Sequence, residues 1–297
     1  MLLNKRIPFW FIFNKIKVEL VVVSVIAIIV YGITQAFRDK IPPMPISIPA
    51  FLGTAISVIL SFKLNQSYDR WWEARKIWGS IVNDSRNLVL QLQTFLGKGH
   101  EEDIRNIAFR QIAWCFSLSN SLRALNPLEN LDRFLSLKEI DELKKHTNKP
   151  LAIQQLNTKH IGGLRKKEVI DQFAHVQVNT TITNLVNAMG MAERIKSTVF
   201  PATYRLFLHF FIYLFVVTLS ISLSGIESYF EIPLLLMISS VFFLLERTAT
   251  HLQDPFSNKP TDTAMNAIST TIEINLKQLV GHGDVPQPLP QDKFYLM

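Results

Sequence analysis

Three uncharged residues at helical spacing are the positions in this sequence best suited to controlling ions. Thr54, Val58 and Phe62 recur every four residues in an apolar run, so in a helix they lie on one stripe. Several copies of such a stripe around an axis would form an apolar constriction, which controls ions by wetting and dewetting. The same spacing is also typical of a stripe that packs against another membrane helix. Both interpretations place these residues inside or beside a membrane.

The sequence contains no recognisable catalytic or metal-binding pattern. The histidines are scattered without the spacing of a zinc site, and the H-E-x-x-H, Walker, dinucleotide-binding and G-x-S-x-G motifs do not occur. The single cysteine, Cys115, rules out an internal disulfide, and its neighbours Trp114 and Phe116 predict a buried, inert thiol. We therefore expect no enzyme activity, no cofactor and no bound metal.

Composition indicates that membrane helices carry the stripe. Hydrophobic residues make up 48% of the chain and the mean hydropathy is +0.19. Candidate membrane spans are residues 18–36, 46–62, 204–223 and 232–245. The last of these is short, but it extends to about twenty residues if residues 228–230 lie at the membrane interface. The net charge of +7 does not indicate nucleic-acid binding, because the basic residues form no stripe interleaved with aromatics. An excess of basic residues on one side of a membrane explains the charge more simply.

The second span is predicted to continue beyond the membrane as one helix. Pro49 lies in its first turn, where a helix tolerates proline. Charged residues follow from Lys63 to Lys76 without a Gly or Pro to end the helix. One helix would then be shared by a membrane layer and an aqueous layer, an arrangement better suited to a conduit than to an anchor.

The middle of the chain is predicted to be helical, with turns at residues 97–99, 126–127, 148–150 and 162–163. Ser136 and Glu139 match a capping box, which predicts a helix starting at Leu137. A last helix is expected at residues 263–279, followed by an extended tail at 286–290. The resulting division is an N-terminal membrane hairpin (1–62), a cytoplasmic helical region (63–203), a second membrane hairpin (204–250) and a cytoplasmic C-terminal helix with tail (251–297).

Orientation follows from the basic residues near the spans. The loop between the third and fourth spans carries Glu227 and Glu231 and no Lys or Arg, so we expect it outside, with both termini and the middle region cytoplasmic. Arg205 and His209 share a face near the inner end of the third span, and Glu246 lies at the end of the fourth. Such ionisable residues are expected to be paired or to reach the interface.

Three groups of residues resemble the bestrophins in their shorter bacterial form. Residues 69–75 read Asp-Arg-Trp-Trp-Glu-Ala-Arg after the proline-started span, and residues 192–195 read Ala-Glu-Arg-Ile before Pro201 and Tyr204. Residues 254–256 read Asp-Pro-Phe, with Asn266 and Ile-Glu-Ile-Asn-Leu at 272–276 following. The resemblance covers the chain from one membrane hairpin to the other.

The resemblance implies an all-α membrane protein with four transmembrane helices per subunit and a cytoplasmic helical vestibule, assembled as a homopentamer around one axial pore in the bacterial inner membrane. The family's three neck residues fall on Thr54, Val58 and Phe62. A second, cytoplasmic aperture falls near Thr181 or Ile182. Residues 257–262 offer too few carboxylates for the calcium site of animal members, so we expect no calcium clasp.

The family name implies a chloride channel conducting monovalent ions, with a sodium or potassium channel of the same fold as an alternative, because the neck carries no charge to select a sign. A non-conducting membrane scaffold is another alternative. A carrier with alternating access is less favoured, since the second span has neither a broken helix nor a midplane charge.

Overall fold

The computed structural model describes residues 8–37, 40–198, 201–223, 231–290 and 295. Within this part of the chain the regular elements are nine α-helices and one short 3-10 helix at residues 131–133, which confirms the all-α class. The α-helices are α1 (Phe9–Ala36), α2 (Ser47–Phe95), α3 (Glu101–Leu122), α4 (Leu137–Lys144), α5 (Lys149–Lys166), α6 (Gln172–Ser197), α7 (Ala202–Leu223), α8 (Glu231–Gln253) and α9 (Met265–Leu279).

Four of these helices, α1, α2, α7 and α8, are long and apolar enough to cross a membrane, which confirms the four predicted spans. Helix α2 continues without interruption from its apolar first half into its charged second half. Its 49 residues correspond to a rod of about 74 Å at 1.5 Å per residue. The prediction that the second span continues as one helix through the charged segment is therefore confirmed.

The described residues form two compact units. Residues 8–71 and 201–254 form the first, here called the spanning unit, and residues 72–198 and 255–295 form the second, here called the bundle unit. The division falls within α2, between Trp71 and Trp72. In the spanning unit α1 packs on α7 and α8, and in the bundle unit α3 packs on α5, α6 and α9.

Each unit has its own hydrophobic core. Buried Val23, Ile56, Ile212 and Phe243 belong to the core of the spanning unit. The bundle unit is built around buried apolar side chains from α2, α3, α5, α6 and α9, which include Trp78, Ile112, Trp114, Val178 and Ile272. Phe256, from the segment between α8 and α9, belongs to the same core. The family landmark at residues 272–276 thus supplies Ile272 and Leu276 to a core, which explains its apolar positions.

The capping chemistry in the bundle unit largely follows the sequence. Ser136 accepts a hydrogen bond from the backbone N–H of Glu139, whose carboxylate accepts one from the backbone N–H of Ser136, so α4 starts at Leu137 as predicted. Asn148 caps α5, with its side-chain oxygen 3.0 Å from the amide nitrogen of Leu151. The last helix, α9, begins at Met265 and ends at Leu279.

One predicted turn is wrong. Gly162 and Gly163 lie inside α5, not between two helices. Each glycine costs a helix interior about 1 kcal/mol relative to alanine. Ile161 and Leu164 on either side are buried in the core of the bundle unit, and their burial offsets that cost.

Candidate ion pathway

The three residues predicted to form a pore neck share one exposed face of α2. Val58 is 51% exposed, Phe62 is 63% exposed and Thr54 is also exposed. Ile56 and Leu60, which lie between them in sequence, are buried in the spanning unit. Helix α2 therefore packs through one face and leaves the face with the three predicted residues uncovered in the protomer.

The chemistry of this face differs from that of the exposed face of α1. Every exposed residue of α1 between positions 18 and 29 is Val or Ile, as expected of a surface in contact with lipid tails. From position 54 to position 65, the exposed residues of α2 are Thr54, Ser57, Val58, Ser61, Phe62 and Asn65. The face is uncharged but carries hydroxyl and amide groups, a composition compatible with water at its surface.

Two of the hydroxyl groups on this face donate hydrogen bonds within α2 itself. Thr54 Oγ1 donates to the carbonyl oxygen of Ala50 at 2.9 Å, and Ser57 Oγ donates to that of Gly53 at 2.8 Å. Oxygen lone pairs and apolar side chains remain at the surface. The face therefore presents no fixed charge to an ion.

A buried ion pair lies on the opposite side of α2, one residue beyond Phe62. Lys63 Nζ is 2.8 Å from Glu246 Oε1 on α8, and both side chains are completely buried. Thr250 Oγ1 lies 3.0 Å from Lys63 Nζ and 2.8 Å from Glu246 Oε1, so one hydroxyl contacts both members of the pair. His209 Nε2 on α7 is 3.3 Å from Glu246 Oε2. This cluster connects α2, α7 and α8 directly behind the exposed stripe.

Further hydrogen bonds hold α2 within the spanning unit. The hydroxyl of Tyr204 donates to the carbonyl oxygen of Ile59 at 3.1 Å, and Arg70 Nε donates to the carbonyl oxygen of Gln253 at 2.7 Å. Tyr204 and Arg70 belong to the sequence groups that resemble the bestrophins, and here they attach α2 to α7 and to the end of α8. They are positioning residues for the exposed face.

The charged residues near the spans form pairs that the sequence did not specify. Arg247 on α8 pairs with Glu19 on α1, and Glu246 pairs with Lys63. Arg205 is exposed, whereas His209 is half-buried beside Glu246. Helical spacing places Lys63 on the same side of α2 as the buried Ile56 and Leu60. This spacing is the sequence feature from which the burial of Lys63 could have been predicted.

The residues predicted near a cytoplasmic aperture are buried in the bundle unit. Thr181 Oγ1 donates to Gln91 Oε1 at 2.9 Å, which ties α6 to α2, and Ile182 belongs to the hydrophobic core. Another face of α6 is exposed, and at its start Phe173 is 86% exposed. Asp171 caps this helix end by accepting hydrogen bonds from the backbone N–H groups of Phe173 and Ala174.

Polar residues of the other sequence landmarks join helices within the bundle unit. Asn275 Oδ1 on α9 accepts from Arg86 Nε at 2.9 Å and from Arg86 Nη2 at 2.7 Å. Glu193 on α6 accepts from the side-chain amide of Asn148 at 3.0 Å. Cys115 is completely buried, as predicted, and burial raises the pKa of its thiol to about 12, which disfavours the reactive thiolate.

Residues 11–278 match the family model described as Bacterial/Fungal Bestrophin protein. The chain belongs to this bestrophin family. The match runs from α1 to α9 and therefore includes both units.

Relatives and solved structures agree with this assignment. A voltage-dependent anion channel-forming protein of Escherichia coli K12 is 28% identical over 247 residues, covering 83% of this chain and 80% of the relative. A protein of the same description from Mesorhizobium japonicum is 24% identical over 272 residues, covering 92% and 87%. The crystal structure of a bacterial bestrophin homolog from Klebsiella pneumoniae has a TM-score of 0.85 and 29% identity, and covers 91% of this chain and 100% of its own. The relatives are channel proteins and not enzymes, so the comparisons support an ion channel.

Proposed function

We propose that five copies of this bestrophin assemble around one axis and conduct monovalent ions through a neck lined by Thr54, Val58 and Phe62. The observation that carries the proposal is the exposed, uncharged and partly hydroxylated face of α2, which lies opposite the face that packs. A lipid-facing stripe would not need these polar groups, whereas a stripe beside a water-filled passage accommodates them.

The three positions would contribute differently to the neck. A ring of Phe62 side chains next to the charged half of α2 forms the bulkiest apolar level, and Val58 forms a second level one turn away. Thr54 is smaller and polar, so its level is wider and better hydrated. Permeation would require wetting of the Val58 and Phe62 levels, and side-chain volume at these positions would therefore control flux.

Helix α6 is proposed to carry a second constriction. The resemblance places this constriction near Thr181 or Ile182. Within one protomer, however, the Ile182 side chain lies in the hydrophobic core and the Thr181 hydroxyl is hydrogen-bonded to Gln91. We favour Phe173, because its ring is exposed at the capped start of the same helix. Five such rings would form an apolar level comparable to that of Phe62.

The sign of the conducted ion is proposed to be set outside the neck, since the neck residues carry no charge. The E. coli and M. japonicum relatives are described as anion channel-forming, which favours chloride. One observation favours the alternative, a sodium or potassium channel. Asp69 is exposed on the same face of α2, seven residues beyond Phe62, and a ring of carboxylates there would favour cations. Reversal potentials of the purified channel across a chloride gradient distinguish the two.

The bundle unit is proposed to lie in the cytoplasm and the protein in the bacterial inner membrane. The first 17 residues carry four basic side chains and the region after Lys63 is rich in Lys and Arg, whereas the connection between α7 and α8 has neither. The positive-inside bias then orients both termini toward the cytoplasm.

The test of the neck compares two valines with nearly the same exposure. Val58→Trp should abolish ion flux in liposomes, because five indoles would fill the passage. Val25→Trp on α1, where Val25 is 50% exposed among aliphatic residues, should leave flux intact. Unchanged flux in Val58→Trp would reject the neck, and absence of flux from the wild-type protein would favour the non-conducting scaffold.

A further inference from the structure

A cavity of about 700 Å³ opens in the bundle unit. Its lining comes from the second half of α3, the connection between α3 and α4, the loop before α9, α9 itself and the extended tail that follows it. Helices α2 and α6, which carry the proposed constrictions, contribute none of the described lining residues. The volume is within the range of small-molecule sites, roughly 300–1,000 Å³.

A buried arginine with an unused donor lies in the wall of this cavity. Arg123 is only 7% exposed, and its Nη1 donates to Asn266 Oδ1 at 3.0 Å. The same oxygen also accepts a hydrogen bond from the hydroxyl of Ser119, which fixes the position of the Asn266 amide. Arg123 Nε has no hydrogen-bond partner among the described residues. This nitrogen is also shielded from solvent, so an anion in the cavity would contact the terminal nitrogens of Arg123 rather than Nε.

A second arginine on the cavity wall is held by aromatic rings. The guanidinium of Arg133 lies 4.8 Å from the ring centre of Phe134 and 5.7 Å from that of Phe116. Its carboxylate contact, Glu273, is 3.9 Å away, which is too long for a hydrogen bond. Stacking on aromatic rings leaves the N–H edge of a guanidinium available for a planar or tetrahedral oxyanion.

The carboxylates near the cavity do not neutralise the positive charges of both Arg123 and Arg133. Glu273 is buried and has a closer partner in Lys277, whose Nζ is 2.9 Å from Glu273 Oε1. Glu129 also lines the cavity, but its side chain is exposed to solvent. Burial lowers the pKa of Arg123, and the negative charge of Asp262 partly opposes that shift. The wall nevertheless offers two guanidinium groups with unused donors.

We propose that this cavity binds a small organic anion, with its carboxylate or phosphate oxygens accepting hydrogen bonds from Arg123 and Arg133. The buried hydroxyl of Thr270 on α9 lines the same cavity and supplies a further polar contact for the body of the ligand. Because the cavity joins α3, α9 and the tail after α9, an occupied site would hold these three segments together. The proposal does not depend on which ion the channel conducts.

Isothermal titration calorimetry on the full-length protein in detergent tests the proposal with three probes. Succinate represents a carboxylate ligand, AMP a phosphate ligand and putrescine a cation of similar size. We expect succinate, AMP or both to bind with a Kd below about 1 mM, and putrescine not to bind. Binding of succinate alone would show that the cavity selects carboxylates, and binding of AMP alone would show that it selects phosphates.

Variants locate the site. Arg133→Gln alters a partly exposed side chain and should fold normally, yet weaken anion binding about tenfold or more. Arg123→Gln should cause a similar loss, with folding checked by size-exclusion chromatography. Arg105→Gln, on the exposed surface of α3 outside the cavity lining, should leave affinity unchanged. Absence of binding by both anions, unaltered affinity in Arg133→Gln, or binding of putrescine alone would overturn the proposal.

Discussion

Removing Lys63 should destabilise the spanning unit more than removing both members of its ion pair. Lys63 and Glu246 are completely buried with their charged atoms 2.8 Å apart. At an effective dielectric constant near 20, this separation gives an attraction of about 6 kcal/mol, much of which is offset by loss of hydration. Lys63→Met leaves a buried carboxylate without its cation, a change that typically costs about 3–5 kcal/mol.

The structure places the expected loss near the lower end of that range. Thr250 still donates to Glu246 Oε1 in the single variant, and His209 remains 3.3 Å from Oε2. A loss of about 3 kcal/mol corresponds to a fall of roughly 5 °C in the unfolding midpoint for a chain of this size. The double variant Lys63→Met/Glu246→Leu removes the uncompensated charge and should recover most of that loss.

Thermal unfolding of the detergent-solubilised protein, followed by size-exclusion chromatography, measures these differences. Lys76→Met is the matched control, because Lys76 contacts Glu73 at 2.7 Å on an exposed surface and should change stability by less than about 1 kcal/mol. A single variant as stable as wild type, or a double variant less stable than Lys63→Met, would refute this account of the buried pair.

Two further predictions concern the bundle unit. The hydrogen bond between Asp103 and His100 is the main cause that lowers the pKa of Asp103, so its stabilising effect is present at neutral pH and is lost as pH falls through the lowered pKa. Chemical denaturation of Asp103→Asn should show reduced stability at pH 7, and the difference from wild type should shrink as pH falls below about 3.9, the ordinary pKa of Asp; a difference independent of pH would contradict this. Asn275→Ala removes the acceptor of two hydrogen bonds from Arg86 and should cost about 1.5–3 kcal/mol in the same assay. The exposed Asn184→Ala is its control, and equal stability of the two variants would show that the Arg86 contact contributes nothing.

Features that depend on local sequence could be predicted. The apolar runs specified four spans, and the absence of Gly or Pro between Lys63 and Lys76 specified that α2 continues. The Ser136 capping box specified the start of α4, because its hydrogen bonds join residues three apart. The stripe of neck candidates could also be placed on one face of α2, since helical phase is a local property.

Features that depend on packing between distant segments could not be predicted in the same way. Gly162 and Gly163 signal a turn locally, but burial of neighbouring side chains keeps them in α5. The partner of Lys63 lies 183 residues away in sequence, and nothing near Lys63 identifies Glu246. Likewise the burial of Thr181 depends on the approach of Gln91 from α2.

Cysteine accessibility tests most directly whether the exposed face of α2 lines an ion passage. The native Cys115 is buried with a pKa of about 12, so the wild-type channel provides an unreactive background for a charged methanethiosulfonate reagent. Addition of the reagent should block current through Val58→Cys and leave the wild type and Val25→Cys unaffected. Current through modified Val58→Cys that stays at its initial level would contradict an ion passage along this face.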